Sequence, residues 1–343
     1  MGIKGETSFK TIISQFWQLK QLFVAEGENM GKDLFELYKE EEYKAKKHEM
    51  EVYREDPSKM AEEIAFHRVV EMFMPEDEKI FSDPYAISFV NPEMLEHMAK
   101  NPVETQRKSE ELEKLFPGVH NSIIARVRYF DDFVERLANE ALEQLVILGA
   151  GYDTRAYRIG GLKENVKVFE VDHPNTQSFK IQKVKEIFGS IPDHVVYVPI
   201  DFDTQKLDQR LLECGYGPSK KTLFLMEGLV MYIPPDAVDE ILSFIVNNSA
   251  KGSAVIFDYV PQSVVDGTSD LEVGKNLHNH AKEYKEPLQF GIEEGTLETF
   301  LKERGFSSIE NVTSEDYRKA YFDGKNRSKE VCSLFLFAHA VVG

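Results

Sequence analysis

The sequence predicts an α/β fold built on a mainly parallel, doubly wound sheet. From residue 144 to residue 312, apolar runs of strand length alternate with helical patterns, and strands separated by helices require crossover connections. The first run, Leu145 to Leu148, stops at Gly149-Ala150-Gly151, which indicates a buried strand followed by a tight turn. Because neither glycine carries a Cβ atom, the backbone can approach a ligand there, although a glycine pair after a strand is often only a turn.

The composition restricts the class of protein. The 343 residues include 41 Lys and Arg against 59 Asp and Glu, a formal net charge of −18. So acidic a chain repels phosphate backbones, and we expect no nucleic-acid partner. The two cysteines, Cys214 and Cys332, lack metal-ligand spacing, which predicts no metal site and suits a reducing compartment. Since no apolar run reaches membrane length and the N-terminus lacks a signal-peptide pattern, we expect a cytoplasmic protein with no membrane partner.

Two amphipathic patterns precede the predicted sheet domain. Apolar residues recur at helical spacing over residues 9–24 and 31–55, and Asp56-Pro57-Ser58 ends the pattern. We predict that residues 1–58 form a helical extension, either a cap or a homodimer contact, and that residues 59–343 form the main domain. Further helices are expected over residues 59–73, 104–115 and 121–142.

Seven strands are predicted. Their expected bounds are 145–148, 166–172, 195–201, 222–227, 254–259, 306–312 and 332–341. The last two have no predicted helix between them, so we expect them to pair antiparallel. Residues 260–295 interrupt the alternation with a long polar insertion that contains His278 and His280. Such loops are usually lids or binding segments, and we predict a lid here, with disorder as the alternative.

Acidic side chains lie at or beside the ends of four consecutive predicted strands, at Asp172, Asp201, Glu227 and Asp258. In an open α/β sheet, ligands bind beyond the carboxyl ends of the strands, where the strand order reverses. Asp172 follows the glycine turn by about one β-α-β unit, where a carboxylate accepts both ribose hydroxyls of an adenosine. The dinucleotide pattern G-x-G-x-x-G fails at Thr154, and no Walker loop is present. An adenosine cofactor without a pyrophosphate remains, and S-adenosylmethionine fits that description.

Five motifs then occur in order along the chain. They are Ala125-Arg-Val-Arg-Tyr-Phe-Asp-Asp, Leu148-Gly-Ala-Gly-Tyr-Asp-Thr-Arg-Ala-Tyr-Arg, Glu170-Val-Asp172, Val198-Pro-Ile-Asp-Phe202 and Met226-Glu-Gly-Leu-Val-Met-Tyr-Ile233. Together with the turn at Asp83-Pro84-Tyr85-Ala86, they resemble the leucine carboxyl methyltransferase family over residues 61 to 343. The resemblance implies a Rossmann-like class I methyltransferase fold with a mainly parallel seven-stranded sheet and an N-terminal helical cap. It also implies an S-adenosylmethionine-dependent O-methyltransferase.

The resemblance assigns roles within the cofactor site. The implied cofactor-binding residues are Arg126, Gly149, Gly151, Asp172, Asp201, Phe202 and Glu227. Arg126 would bind the methionyl carboxylate, and the two glycines would line the methionyl chain. Asp172 would hold the ribose, Asp201 with Phe202 would bracket the adenine, and Glu227 would lie near the methionyl amine. Each pairing is chemically sensible, because a guanidinium suits a carboxylate and a carboxylate suits an ammonium or a diol.

The methyl acceptor is left open between two kinds of oxygen nucleophile. A carboxylate is already ionised near pH 7 and needs no base, whereas a hydroxyl does. Because the family leans to carboxylates, we predict methyl ester formation on a small organic acid. Tyr232, His278 and His280 are the candidate catalytic residues, and a histidine of the lid would be the base in the alternative reaction with a phenol or alcohol. Methylation of a protein C-terminal carboxyl group, or an inactive cofactor-binding partner protein, are further alternatives.

Overall fold

The computed structural model describes residues 58–201, 205–283 and 286–343. In these residues seven strands form one sheet in the order β3-β2-β1-β4-β5-β7-β6. The strands are β1 (Gln144–Leu148), β2 (Lys167–Asp172), β3 (Val195–Pro199), β4 (Thr222–Met226), β5 (Ala254–Tyr259), β6 (Phe306–Val312) and β7 (Leu336–Val342). The first five pair in parallel, and β7 pairs antiparallel with both β5 and β6. The predicted α/β fold with a mainly parallel seven-stranded sheet is confirmed.

Helices cover both faces of this sheet and one of its ends. The α-helices are α1 (Lys59–Met72), α2 (Pro92–Lys100), α3 (Pro102–Leu115), α4 (Val119–Asn139), α5 (Arg155–Arg158), α6 (Gly160–Asn165), α7 (Pro174–Phe188), α8 (Leu207–Glu213), α9 (Pro235–Asn247), α10 (Gln262–Val265), α11 (Glu272–Glu283), α12 (Leu297–Glu303) and α13 (Ser314–Tyr321). Short 3-10 helices lie at Ala86–Phe89, Val230–Tyr232 and Gly324–Ser328. None of the helices in the described ranges combines the length and the apolar character needed to span a bilayer.

The central strands are apolar on both sides because helices bury both faces of the sheet. All five residues of β1 are buried. Leu145 and Ile147 pack on one face with Phe130 of α4, while Val146 and Leu148 pack on the other face with Ile241 of α9. This alternation follows from the two-residue period of a strand. The edge strand β6 is instead mostly exposed between its buried ends, which explains its polar sequence.

The strand order places the site. The direction of the strand order reverses between β1 and β4, which lie side by side in the sheet. From β1 the order continues outward through β2, and from β4 it continues outward in the opposite direction through β5. Leu148 at the end of β1 is in register with Met226 at the end of β4. The loops that leave these two strands therefore diverge to opposite faces and open a crevice between them, as expected at a topological switch point.

The segment between β6 and β7 differs from the prediction. We expected no helix between β6 and β7, but α13 occupies Ser314–Tyr321. It begins with a capping box, in which the side chains of Thr313 and Asp316 each accept a hydrogen bond from the backbone N–H of the other residue. The expected antiparallel pairing of β6 with β7 is observed.

Two further elements differ from the prediction. Strand β7 begins at Leu336, later than predicted, and helix α2 was not predicted. The predicted extension over residues 1–58 lies almost wholly outside the described residues, so that boundary stays a prediction.

The segment from residue 260 to residue 295 is not a long loop in its described part. It forms α10 and α11, and an isolated bridge joins Pro261 to Ile292. Val264 and Ile292 are buried. The segment is rich in polar residues because helix α11 buries only a narrow strip of its surface, which includes Ala281. The role of this segment as a lid stays a prediction.

Candidate cofactor and acceptor site

The turn after β1 adopts a backbone that favours glycine. Gly149 and Gly151 have φ angles of 64° and 40°, values that residues with a Cβ atom rarely adopt. A Cβ atom on Gly149 would also lie 2.9 Å from Cδ1 of Leu229, in the loop after β4. The φ angle therefore favours glycine at residue 149, and a Cβ atom would in addition require the end of the Leu229 side chain to shift.

Asp172 ends β2 and faces this turn. Its Oδ2 accepts a hydrogen bond from the backbone N–H of Gly151 at 2.5 Å, and its Oδ1 accepts one from His173 N–H at 2.7 Å. Burial raises the pKa of the Asp172 carboxyl, and these two N–H groups partly offset that effect. A carboxylate offers about four lone-pair sites, so Asp172 can still accept from the diol of a ligand.

Arg126 projects from α4 towards carboxylates at the ends of β4 and β5. Its Nε donates to Oε1 of Glu227 at 3.1 Å, and its Nη1 donates to Oδ2 of Asp258 at 2.6 Å. Burial alone would lower the pKa of Arg126, but Asp258 and Glu227 outweigh burial and raise it. Asp258 also accepts from Gly228 N–H at 2.6 Å and so fixes the turn after β4. Nη2 of Arg126 makes no hydrogen bond to any described residue, which leaves that nitrogen for a ligand.

Arg155 extends these ion pairs behind the site. Its Nη1 lies 2.6 Å from Oε2 of Glu227 and 2.5 Å from Oδ2 of Asp153, and its Nε lies 2.7 Å from Oδ1 of Asp131. Arg158 pairs with the other oxygen of Asp131 at 2.6 Å. Burial opposes ionisation of Asp153, but Arg155 beside it prevails and the pKa falls to about 2. Arg155 and Arg158 therefore brace the turn and hold Glu227 in place.

A cavity of about 860 Å³ begins at the glycine turn and continues beneath α1, α3 and α11. Its polar end is lined by Gly149 to Asp153, Asp172 and Glu227. The rest, which we call the apolar chamber, is walled mainly by aliphatic, methionine and aromatic side chains. They include Ile64, Phe116, Ile123, Met231, Leu277 and Leu288. The volume falls within the range of about 300–1,000 Å³ that is usual for small-molecule sites.

The structure separates the three candidate catalytic residues. Tyr232, in the 3-10 helix after β4, lines the cavity, but burial raises the pKa of its phenol, which disfavours a role as general base. His280 of α11 also lines the cavity, with Nε2 3.7 Å from Oε1 of Glu63. His278 is absent from the described lining, and its ring packs beside Gly267 instead.

The adenine side of the site is only partly described. Asp201 lies two residues beyond β3, at the same edge of the sheet as Asp172, but it does not line the cavity. Phe202 lies outside the described residues. Their role in bracketing adenine stays a prediction.

Comparison with known proteins identifies the family. A family model described as leucine carboxyl methyltransferase matches residues 61–246, more than half of the chain. The chain belongs to the leucine carboxyl methyltransferase family. The resemblance inferred from the five motifs is thereby confirmed.

Curated relatives agree with this membership. A Bacillus subtilis protein named "Putative S-adenosyl-L-methionine-dependent methyltransferase" is 27% identical over 255 residues, which cover 74% of this chain and 82% of that protein. A Saccharopolyspora erythraea protein of the same name is 30% identical over 210 residues, covering 61% of this chain and 68% of its own length. The family and these relatives show an S-adenosylmethionine-dependent methyltransferase.

Two solved structures share the fold. A DUF574 family protein from Streptomyces avermitilis aligns with a TM-score of 0.54 at 14% identity, covering 84% of this chain and 98% of that chain. A Thermobifida fusca protein described as a "putative methyltransferase" aligns with a TM-score of 0.51 at 15% identity, covering 68% of this chain and 86% of its own. At this identity the likeness concerns the fold alone.

The residues of this methyltransferase fit the chemical groups of S-adenosylmethionine. Gly149 and Gly151 line the cavity, and neither has a Cβ atom that would limit the approach of the methionyl chain. Asp172 offers acceptors for a ribose diol, and Nη2 of Arg126 offers a donor for the methionyl carboxylate. Glu227 carries a negative charge that suits the methionyl ammonium, although two arginines already share that charge. These individual assignments remain predictions.

Sequence reasoning missed several residues of the site. Asp258 was noted only as a strand-end acid, yet it is the nearest partner of Arg126. His67 and His120 line the cavity as a hydrogen-bonded pair, and Lys329 lines it from the loop before β7. These residues lie far apart in the chain, and no local pattern in the sequence marks their pairing.

Proposed function

We propose that this methyltransferase converts the carboxylate of a small hydrophobic organic acid into its methyl ester. The observation that carries the proposal is the apolar chamber, which continues from the cofactor end and is lined in part by Lys329. Lys329 has no salt-bridge partner among the described residues. Apolar walls favour a hydrophobic acceptor, and a cation outside any salt bridge favours a carboxylate on it.

The reaction requires little acid–base chemistry from the protein. Bound S-adenosylmethionine supplies a methyl group activated by its sulfonium. In this reaction an oxygen of the acceptor carboxylate would bond to the methyl carbon as the carbon–sulfur bond breaks, and the bonding electron pair would remain on sulfur. No proton moves, because the acid is ionised near pH 7. Asp172 and Arg126 would fix the donor, while the apolar chamber would align the acceptor and exclude water.

The chemical nature of the product tests this proposal. We expect the purified protein to transfer methyl groups to hydrophobic carboxylic acids such as octanoate, decanoate or phenylbutanoate. A methyl ester releases methanol in mild alkali, whereas a methyl ether does not. The alcohols and phenols with matching carbon skeletons serve as controls. Exclusive formation of an alkali-stable product from the hydroxyl compounds would overturn the carboxylate reaction.

One observation favours a second candidate function, the methylation of a phenol or alcohol. His280 lines the cavity, and the Glu63 carboxylate 3.7 Å from its Nε2 is the main reason that its pKa is raised. Its ring also contacts Phe116 edge-on, at 5.1 Å between ring centroids. Histidine is the side chain that most often acts as a general base.

His278 provides a matched control for that possibility, because it lies on the same helix but outside the cavity lining. For a carboxylate acceptor we expect His280→Gln and His278→Gln both to change kcat by less than about 10-fold, with a rate that is flat from about pH 6 to 8. For a hydroxyl acceptor, His280→Gln alone should lose about 10²- to 10⁴-fold. The rate of the unmodified protein should then rise as pH increases through the pKa of His280, since only neutral imidazole accepts a proton. Steady-state rates across this pH range decide between the two.

A further inference from the structure

Two histidines from different helices form a pair in the wall of the cavity. Nδ1 of His67, on α1, lies 2.7 Å from Nδ1 of His120, on α4, and the ring centroids are 5.0 Å apart. Burial lowers the pKa of His67 well below its usual value and that of His120 to about 4, so both rings are neutral at pH 7. Only one proton can occupy a hydrogen bond between two neutral Nδ1 atoms. The ring that accepts this hydrogen bond must therefore carry its single N–H proton on Nε2.

The two Nε2 atoms of this pair have no hydrogen-bond partner among the described residues. Both rings line the cavity. One Nε2 is thus an N–H donor without a protein acceptor. Polar groups inside a protein generally have hydrogen-bond partners, so an acceptor atom from a ligand or solvent is expected at this position.

The loop before β7 brings a cation to the same place. Asn121 on α4 donates from Nδ2 to the carbonyl of Glu330 at 2.7 Å, and Cys332 N–H donates to Oγ of Ser122 at 2.8 Å. Gly118 allows this docking, because a Cβ atom there would lie 2.6 Å from the backbone of Val331. The loop is held against the start of α4, and Lys329 reaches the cavity beside His120.

Two cations act on the pair, Arg126 and Lys329. Arg126 contributes to the low pKa of His67, and Lys329 contributes to that of His120, in each case after burial. Glu71 also lies near Lys329, but its Oε1 accepts from Ile80 N–H at 2.5 Å, and burial raises its pKa to about 7. Near neutral pH, Glu71 therefore offsets Lys329 only in part.

We propose that His67, His120 and Lys329 together form the site that binds the carboxylate of the acceptor. The imidazole N–H donates to one carboxylate oxygen, and the Lys329 ammonium donates to the other. This assignment rests on the proposed function, because it names the part of the cavity that recognises an acid. Methylation removes the negative charge, so the ester loses its attraction to Lys329 and is released more readily than the acid is.

Variants of Lys329 and His120, compared with a control variant of a second lysine in the cavity lining, test the assignment. Lys329→Met and His120→Phe keep most of the side-chain volume and are each expected to raise the KM for the acid roughly 10- to 100-fold, the effect of losing a charge-assisted hydrogen bond. The control is Lys108→Met, because Lys108 lines the cavity but is already paired with Glu104 at 2.8 Å. In all three variants we expect calorimetric affinity for S-adenosylhomocysteine to stay unchanged.

Binding of octanoate, methyl octanoate and octan-1-ol to the protein loaded with S-adenosylhomocysteine provides a second readout. Octanoate should bind more tightly than the other two, and Lys329→Met should abolish that preference. If the product is a methyl ester but Lys329→Met and His120→Phe match Lys108→Met in KM, the carboxylate site is elsewhere and the proposed function stands. If the product is an ether, or octan-1-ol binds as tightly as octanoate, the carboxylate site is overturned. Should His120→Phe fail to fold, Lys329→Met on the loop gives the same decision.

Discussion

Replacing Asp172 with alanine is expected to weaken S-adenosylmethionine binding by roughly 100- to 10,000-fold. The carboxylate ends β2 at the edge of the cavity and would accept both ribose hydroxyls. Hydrogen bonds to charged groups contribute roughly 1.5 to 3 kcal/mol each, and every 1.4 kcal/mol is about tenfold in affinity. The structure adds a second reason, because Asp172 also holds Gly151 N–H at 2.5 Å. Losing the carboxylate therefore loosens the glycine turn as well.

Calorimetry with S-adenosylhomocysteine measures this effect, and two further variants separate its causes. Asp172→Asn keeps one acceptor oxygen for the turn but loses the charge, so its loss of affinity should be smaller. Asp208→Ala removes an exposed carboxylate at the start of α8 and should leave affinity unchanged. A folded Asp172→Ala protein that binds as tightly as the parent would contradict the ribose assignment.

Much of the fold was predictable because the strands are buried on both faces. A parallel strand covered by helices must be apolar throughout, and the runs that end at Leu148 and Met226 have that property. Helix α13 was missed because Tyr317 is its one buried residue. A helix that buries so little needs few apolar residues at helical spacing, so its sequence does not show the usual amphipathic pattern. The available signal was Thr313 followed three residues later by Asp316, a capping box without the apolar run that usually accompanies it.

The candidate site was predictable where its residues belong to single motifs. Gly149, Gly151 and Asp172 come together because adjacent parallel strands end at one edge of the sheet. Pairings between distant segments were not predictable. Arg126 meets Asp258 across 132 positions, and no local pattern specifies that contact. The resemblance assigned Arg126 to a ligand alone, whereas in the structure two carboxylates fix its orientation first.

This difference changes how Arg126 is expected to work. A guanidinium held at Nε and Nη1 can rotate little, so Nη2 is presented in one direction before a ligand arrives. Less side-chain entropy is then lost on binding, which favours affinity. The arrangement depends in turn on Arg155, which holds the other oxygen of Glu227 at 2.6 Å. The cofactor end is therefore ordered by ion pairs that reach back to Asp131 on α4.

Asp131→Asn is accordingly expected to destabilise the whole domain by about 3 to 5 kcal/mol, the usual cost of removing one partner from a buried ion pair. Asp131 is 5% exposed and accepts from Arg155 at 2.7 Å and from Arg158 at 2.6 Å and 2.7 Å. The amide cannot neutralise two guanidinium groups, and the Arg155 and Arg158 side chains are only 2% and 9% exposed, so water compensates little for the lost charge. Total stabilities are about 5 to 15 kcal/mol, so the loss should be a large part of the whole.

The neighbouring residue on α4 supplies the control. Asp132 pairs with Arg128 at 2.8 Å, but both side chains are well exposed, at 39% and 43%. Exposed pairs contribute about 0 to 1 kcal/mol, so Asp132→Asn should change stability by no more than about that amount. Urea unfolding followed by circular dichroism compares the two variants, with the slope m checked for each. Equal losses in the two variants would show that the ion pairs behind Glu227 contribute no more than a surface contact, and Glu227 and Arg126 would then need another source of order.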